Sequence, residues 1–387
     1  MRRVVLIVFL VVGIAAAFLA ELPQMVDQSE NKVLVKPPYA ASDKAFALHR
    51  QLTIADLHAD SLLWGRDLLE RSADGHVDIP RLAEGNVALQ VFSLPTKSPR
   101  GMNIEHNDDK SDTITLLALV DRWPPATWTS LTQRALYQAR RLHQFAKGSR
   151  GGFVVIESAA DLSSYLEQRS HNGNLTAGLL SIEGAHALDG KLENLDALYG
   201  AGYRMMSPSH FFDTDIGGAA AGVGKIGLTD KGHEWVRQME MRHMIVDLAH
   251  ASSKTIDDVL AMATRPVVVS HTGVKGTCNN NRNLSDDQIR AVAAKGGLIG
   301  IGYWETATCG TDARAIVKAM RYVSDRVGVE HVALGSDFDG AVTEPFDTTG
   351  LVKITEAMME AGYSEAEIGM VMGENVVKFL RENLPEK

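Results

Sequence analysis

Short apolar, β-rich runs alternate with helix-like segments along most of the chain. The runs that predict strands are residues 53–58, 87–93, 178–184, 203–210, 244–250, 266–271, 297–303 and 332–340. The segments 252–264 and 285–296, which lie between them, begin with serines that can cap a helix. Eight strands alternating with helices predict an α/β fold of the (β/α)8 TIM-like barrel type. A doubly wound sheet is the structural alternative, and it would place its ligands at only two or three strand ends.

One further apolar run, "FVVI" at residues 153–156, does not fit an eightfold pattern. We assign it to a long insertion, roughly residues 94–177, between the second and third barrel strands. The insertion is predicted to be largely helical.

The N-terminus has a different pattern, since Arg2 and Arg3 precede an uncharged apolar run at residues 4–20. This length is at the lower limit for a membrane-spanning helix and also fits a signal peptide. We predict an uncleaved anchor over residues 1–20, with the body exported to the periplasmic or extracellular side. Secretion after signal-peptide cleavage is the alternative. The polar residues 21–42 are predicted to be a linker, and residues 43–387 a single domain.

Composition limits the classes of partner and of covalent cross-link. A hydrophobic content of 45% with 22% charged residues is typical of a globular protein. The net charge of −9 and the lack of a long basic run argue against nucleic acid as a partner. Cys278 and Cys309 are the only cysteines, and an oxidising compartment would allow them to form a disulfide. Two separate buried thiols are the alternative.

Polar side chains recur at the carboxyl ends of six predicted strands, which converge on one face of a barrel. These residues are His58 and Asp60, Glu183, His210, His250, His271 and Asp337. Imidazole and carboxylate groups are good zinc ligands, and two metals can share a carboxylate. His58 and Asp60 share one face of a strand and could hold one metal, while His250 and His271 could hold a second, with Glu183 between them.

Three neighbouring residues have open roles at this stage. Asp56 shares the face of His58, and either orients a ligand or is a buried structural carboxylate. Asp339 has the same strand parity as Asp337 and is its rival for a place in the site. His186, three residues after Glu183, is interpreted as structural.

Six motifs occur in the order found in one known family: "DLHAD", "SIEGAH", "SPSH", "VDLAH", "VSHTGVKGTCNNNRN" and "GSDFDG". Over about residues 43–380 the chain resembles the membrane dipeptidases, the renal-dipeptidase-like binuclear zinc peptidases. The resemblance implies two zinc ions, the first held by His58 and Asp60, the second by His250 and His271, with Glu183 as the bridge. It also implies a disulfide cysteine at the Cys278 position and a possible homodimer.

The resemblance further implies the roles of three residues around the substrate. His210 would contact the substrate near the scissile carbonyl, Arg282 would bind its terminal carboxylate, and Asp337 would handle the proton of the bridging water. From the residues alone, Arg282 could instead form a surface ion pair with Asp286 or Asp287. The expected activity is hydrolysis of dipeptides, including those with a C-terminal D-residue, by a metal-bridging hydroxide.

Two other functions compete with this expectation. A binuclear barrel hydrolase could act on a lactone, a cyclic amide or a β-lactam, although such enzymes more often carry His-x-His on the first strand. A non-catalytic exported protein could bind only metal or peptide. The loop after His210 and residues 302–312 leave the substrate preference open.

Overall fold

A computed structural model describes residues 21–387, so the predicted anchor or signal segment at residues 1–20 lies outside the described residues. Within residues 21–387, every helix is too short or too polar to cross a membrane. The strands are β1 (Lys32–Val33), β2 (Ile54–Ala59), β3 (Val87–Phe92), β4 (Phe153–Val155), β5 (Thr176–Ile182), β6 (Tyr203–Met206), β7 (Ile245–Val246), β8 (Val268–Thr272), β9 (Leu298–Ile301), β10 (Val332–Leu334) and β11 (Thr343–Glu344).

Eight parallel strands form one curled sheet in the order β7-β6-β5-β3-β2-β10-β9-β8. A parallel bridge between Asp247 and Val268 joins the strands at its two ends, and the Leu248 N–H donates to the Val268 carbonyl at 2.7 Å. The arrangement is consistent with the predicted TIM-like barrel. A doubly wound sheet would leave both edges open, so this bridge disagrees with that alternative.

The insertion between β3 and β5 contains the predicted ninth strand. β4 pairs in parallel with the start of β5, and β6 pairs with its end, so both lie along the same side of that strand. The rest of the insertion is mainly helical, as predicted.

The helices of the described residues, apart from one at 21–30, are α1 (Asp43–His49), α2 (Ile79–Glu84), α3 (Thr113–Val120), α4 (Leu131–Gly148), α5 (Ala159–His171), α6 (Asn194–Gly200), α7 (Asp230–Met241), α8 (Ser253–Met262), α9 (Asp286–Ala294), α10 (Glu305–Thr308), α11 (Ala313–Val327), α12 (Val352–Glu360), α13 (Glu365–Gly369) and α14 (Asn375–Asn383). The predicted serine caps are present. Ser252 accepts from the Thr255 N–H, and Ser285 forms a reciprocal capping box with Gln288.

Alternation along β2 sorts its side chains onto two faces. Ala55 and Leu57 belong to an apolar cluster that includes Leu162 of α5 and Phe379 of α14. Asp56 and His58 therefore project to the opposite face, as the spacing predicts. Several predicted strands extend too far, however. β6, β7 and β10 end before His210, His250 and Asp337, which lie in the loops that follow.

Residues 21–42 differ from the linker predicted there. Residues 21–30 are helical, and β1 pairs in parallel with β11 at the mouth of the barrel. Asp27 and Asn31 are both 3% exposed. The polar composition suggested a segment exposed to solvent. These polar side chains are instead buried, because the rest of the domain supplies their partners.

Cys278 and Cys309 form a disulfide, as the export hypothesis predicts. It ties the loop after β8, which carries Arg282, to the end of α10, which follows Trp304. The cross-link therefore joins two segments at the mouth of the barrel.

Candidate metal centre

The structure brings the predicted strand-end residues together at one mouth of the barrel. All seven are buried, with relative exposures of no more than 8%. His58 and His271 lie within β2 and β8, Glu183 directly follows β5, and the others lie in loops beyond their strands. Parallel strands that end on one face thus place these distant positions side by side.

Glu183 is at the centre of the cluster. Its Oε1 lies 2.8 Å from His250 Nε2, 3.2 Å from His271 Nε2 and 3.8 Å from His58 Nε2. Its Oε2 lies 3.3 Å from His210 Nε2. A carboxylate among imidazoles from several strands has the position that a bridging ligand requires.

The remaining donor atoms converge on the same space. His58 Nε2 is 3.6 Å from Asp60 Oδ1 and 3.9 Å from Asp337 Oδ1. His250 Nε2 and His271 Nε2 are 2.8 Å apart. Three overlapping sets hold their donor atoms within 4.8 Å of one another: His58, Glu183 and His271; Glu183, His210 and His250; and His58, Asp60 and Asp337. Glu183 shares one set with His271 and another with His250, while none of the three sets contains both histidines.

Two observations test whether these residues suit a cation. Within residues 21–387, the buried atoms His58 Nε2 and Asp60 Oδ1 have no hydrogen-bond partner, and both face the other donors. Buried polar groups are rarely left without a partner, so their convergence fits a metal ligand set. The set contains only nitrogen and carboxylate oxygen donors, which suit zinc and similar divalent ions.

Ser270 orients two of the imidazoles, and the sequence reasoning missed it. Its Oγ is 3.1 Å from His58 Nδ1 and 2.9 Å from His271 Nδ1. A hydroxyl oxygen has two lone pairs and can accept from both Nδ1–H groups, which leaves both Nε2 atoms free as ligands. The only signal in the sequence was the position of Ser270 directly before a histidine.

The protein environment favours the protonation states that metal ligands need at His250, His271 and Glu183, but not at His58 and Asp60. Burial and the Arg282 charge hold the pKa of His250 well below its usual value, and burial and His58 do the same to the pKa of His271. Burial tends to raise the pKa of Glu183, but the neighbouring histidines lower it well below the usual value. Burial tends to lower the pKa of His58, but the Glu183 and Asp60 carboxylates raise it to about 10, and burial raises the pKa of Asp60 to about 7. These two residues must therefore lose a proton when they bind a cation.

Asp337 and Asp339 have very different surroundings. Asp337 lines the cavity beside Asp60, and burial raises its pKa well above the usual value. The Asp339 carboxylate accepts from Ser61 Oγ at 2.5 Å and lies 2.8 Å from Arg66 Nη2. Every partner of Asp339 is structural, so the structure favours Asp337 over this rival.

Arg282 is a buried cation, only 9% exposed, at the same cavity. It donates to the His271 carbonyl at 2.8 Å and lies 5.9 Å from the centre of the Trp304 ring. In the described part of the chain, no carboxylate lies within 4.0 Å of its guanidinium.

The alternative of a surface ion pair for Arg282 is wrong. Asp286 pairs with Arg326 at 3.0 Å, and Asp287 pairs with Arg290 at 2.6 Å. The guanidinium therefore remains available to an anionic group in the cavity.

Asp56 and His186 both act on the main chain. Asp56 Oδ1 accepts from the N–H groups of His58 at 3.1 Å and Ser336 at 3.0 Å, so it joins β2 to the loop after β10. It holds the backbone of a candidate ligand rather than its ring. His186 Nε2 accepts from the Lys97 N–H at 3.1 Å, which agrees with a structural role.

A cavity of about 630 Å³ opens over the cluster. Its polar end contains Asp60, Glu183, His210, His250, Arg282 and Asp337. Its apolar wall comes largely from the loop after β2 and from the insertion, through Leu63, Trp64, Pro99, Met102, Ile104 and Ile114. Sequence reasoning did not find this wall, because isolated apolar residues in an insertion carry no periodic signal.

The family model of the membrane dipeptidases, peptidase family M19, matches residues 42–386. Among curated relatives, dipeptidase tcpJ from Claviceps purpurea is 28% identical over 319 residues, covering 80% of this chain and 69% of the relative. Dipeptidase aclJ from Aspergillus oryzae is 25% identical over 351 residues, with coverages of 85% and 78%.

Solved structures show the same similarity. A metallopeptidase from Rhodobacter sphaeroides, bound to a phosphinate mimic of the dipeptide L-Ala-D-Ala, is 25% identical with a TM-score of 0.73, covering 86% of this chain and 99% of that one. The probable dipeptidase PvdM from Pseudomonas aeruginosa shares the fold at 17% identity and a TM-score of 0.72, with coverages of 88% and 98%. The chain therefore belongs to the membrane dipeptidase family of metallopeptidases, peptidase family M19.

Proposed function

We propose that this protein uses two zinc ions to hydrolyse the peptide bond of dipeptides, including those with a C-terminal D-residue. The observation that carries the proposal is the position of Arg282. A buried guanidinium without a carboxylate partner lines the same cavity as a cluster of metal-ligand side chains. Arg282 binds the substrate's terminal carboxylate, because a planar guanidinium suits bidentate carboxylate recognition.

The resemblance implies how two ions would share this donor set. His58 and Asp60 would hold the first, His250 and His271 the second, and Glu183 would bridge them. When bound, such ions supply Lewis acidity, which lowers the pKa of a water molecule and polarises a carbonyl group.

Two further residues serve the substrate from the same cavity. His210, whose Nε2 is 3.3 Å from Glu183 Oε2, donates a hydrogen bond to the carbonyl oxygen of the scissile peptide bond, on which negative charge develops. Asp337, whose Oδ1 is 3.9 Å from His58 Nε2, accepts the proton of the attacking water and passes it to the leaving amine. A lactone or cyclic amide offers no terminal carboxylate to Arg282, so the site favours a dipeptide over those rivals.

Tolerance of a C-terminal D-residue is supported by similarity alone. The related metallopeptidase from Rhodobacter sphaeroides was solved with a mimic of L-Ala-D-Ala. We extend that ligand class to this chain because its fold and family are shared.

The disulfide between Cys278 and Cys309 supports the proposal that the enzyme is exported. Structural disulfides form and persist in oxidising compartments such as the periplasm or the cell exterior. We propose that the body faces that side of the membrane, held by residues 1–20.

A dipeptide panel with L,L and L,D members tests the function. We expect free amino acids to be released, a chelator to abolish the release, and added zinc to restore it. Absence of release from every member, with the protein folded and loaded with zinc, would contradict the proposal.

Arg282→Met tests carboxylate recognition. We expect kcat/KM for dipeptides to fall about 10- to 100-fold, the usual value of a hydrogen bond to a charged group. The loss should be much smaller for a dipeptide amide, which lacks the carboxylate. Arg290→Met removes a surface arginine and is the matched control. Equal losses on both substrates would rule out the assigned role of Arg282.

A further inference from the structure

Residues 21–35 lie before the region that matches the family model, which begins at residue 42. They nevertheless pack onto the mouth of the barrel. Along a helix, side chains four residues apart share a face. Gln24 and Gln28 both donate to the Asp74 carboxylate, in hydrogen bonds that are exposed to solvent. Val26 and Glu30 lie on a second face, which lines the cavity. Asp27 and Asn31 lie on a third, which supports the loop after β10.

The loop after β10 has an unusual backbone. Asp337, Asp339 and Ala341 have φ values of 67°, 63° and 58°. These lie in the left-handed region that L side chains rarely adopt. Three such residues in one short loop persist only when surrounding groups determine the conformation.

The N-terminal segment provides much of that support through the main chain. Asn31 Oδ1 accepts from the Ala341 N–H at 2.9 Å. The Lys32 N–H donates to the Val342 carbonyl at 3.2 Å, and the Leu34 N–H donates to the Glu344 carbonyl at 2.9 Å. The segment thus holds the loop along the residues that follow Asp337.

Buried side chains provide a second set of contacts. Arg66 lies between two carboxylates, with Nε 2.7 Å from Asp27 Oδ2 and Nη2 2.8 Å from Asp339 Oδ2. His76 Nδ1 accepts from the Asp339 N–H at 3.0 Å, and its Nε2 lies 3.2 Å from the Lys32 carbonyl, to which it donates. Both routes connect the segment to Asp339, two residues from Asp337.

The other helical face reaches the cavity itself. Val26 and Glu30 line it together with Asp337, Gly340 and Val342. One wall of the cavity above the metal ligands therefore comes from residues that the family match does not include.

We propose that four residues of this N-terminal segment, Val26, Asp27, Glu30 and Asn31, are a working part of the catalytic site. Asp27 and Asn31 are positioning residues for the loop that carries Asp337, while Val26 and Glu30 form a wall against which the substrate packs. The proposal rests on the proposed dipeptidase function for its kinetic readout and on the loop contacts for a readout that needs no activity.

Asn31→Ala in the full chain, with Gln28→Ala as the control in the same segment, tests the positioning role. We expect kcat for a dipeptide to fall between about 10- and 100-fold in Asn31→Ala, since small misplacements cost this much. KM and bound metal should stay within about twofold of the wild type, and Gln28→Ala should match the wild type throughout. Amide hydrogen exchange in residues 337–344 should become faster in Asn31→Ala and remain unchanged in Gln28→Ala.

The two readouts separate failure of this inference from failure of the proposed function. If the wild type hydrolyses no dipeptide, the proposed function fails, and hydrogen exchange alone decides the positioning role. Unchanged exchange in residues 337–344 would overturn that role. A decrease in kcat no larger than the decrease in the fraction of folded protein would overturn it too. Asp27→Asn repeats the test through the Arg66 route, and the same two outcomes decide it.

The wall is tested by Val26→Ala and Glu30→Gln, which alter side chains that are not fully buried. We expect the ratio of kcat/KM between a dipeptide with a large apolar side chain and a glycine dipeptide to change at least about threefold in either variant, because both residues line the cavity. An unchanged ratio in both would overturn the substrate contact.

Discussion

Two buried clusters of charge lie side by side at the barrel mouth, and a single loop contributes to both. Asp337 belongs to the cluster around Glu183, in which histidine nitrogens and carboxylate oxygens face one another with few hydrogen bonds. Asp339 belongs to the cluster around Arg66, in which hydrogen bonds and ion pairs from Ser61, Arg66 and His76 surround the carboxylate. The two clusters contain similar residue types, but the cluster around Glu183 has few hydrogen bonds and the cluster around Arg66 has many.

The difference shows how a buried polar cluster reveals its role. A carboxylate whose partners are already present in the protein stabilises the fold. Donor atoms that converge without partners need something from outside the chain, and a divalent cation supplies it. Three variants test this distinction, in order of decreasing expected effect.

Asp337→Asn should lower kcat by about 10²- to 10⁴-fold, because it removes a group that transfers protons. The content of bound zinc should stay the same, since this side chain is not an assigned ligand. Kinetics on a dipeptide and metal analysis of the purified variant measure the two quantities. Loss of zinc would show that Asp337 is a ligand and that another residue handles the proton.

Asp339→Asn should lower the free energy of unfolding by about 3 to 5 kcal/mol, because it leaves the buried Arg66 with one carboxylate fewer. Denaturant unfolding of the zinc-loaded protein measures the loss. If the variant lost zinc at full stability, the distinction between the two clusters would be wrong.

The same variant gives a test in acid. Burial works to raise the pKa of Asp339, but Arg66 and His76 lower it far below the usual value. A carboxylate with a lowered pKa stabilises the fold at pH values above its unfolded-state pKa of about 3.9. This stabilisation is lost progressively as the pH falls below that value. As the pH falls through that acidic range, Asp339→Asn should therefore lose less stability than the wild type.

Ser270→Ala should weaken zinc binding by about 10- to 100-fold, the usual cost of removing a group that orients a metal-bound histidine. The hydroxyl lies within hydrogen-bond distance of Nδ1 of both His58 and His271, so its loss frees two rings at once. Competition with a chelator measures the affinity, and Ser163→Ala, an exposed helical serine, is the control. Unchanged affinity would mean that packing alone orients the rings.

The residues of the candidate metal centre were predictable because each is marked locally. Strand alternation put His58 and Asp60 on one face, and the ends of other strands supplied Glu183, His250 and His271. The choice of Asp337 over Asp339 was different, because both have the same parity. Only the resemblance favoured Asp337 at that stage, and only the structure shows that Asp339 already has its partners.

The predictions that differ from the structure share a physical cause. The polar segment 21–42 was predicted to be a linker, and the alternative for Arg282 paired it with nearby acids. In the structure, Asp27 finds Arg66 across the barrel mouth, while the acids near Arg282 find Arg290 and Arg326. Composition shows that a residue is charged but not which distant group will neutralise it.

By itself the sequence determined the alternating strands and helices, the faces of the strands and the identity of the metal-ligand types, because these depend on local periodicity and side-chain chemistry. The tertiary structure alone decided which carboxylates are already neutralised, which apolar residues line the cavity and where residues 21–35 pack. These features depend on contacts between residues far apart in the chain, and a local pattern does not encode such contacts.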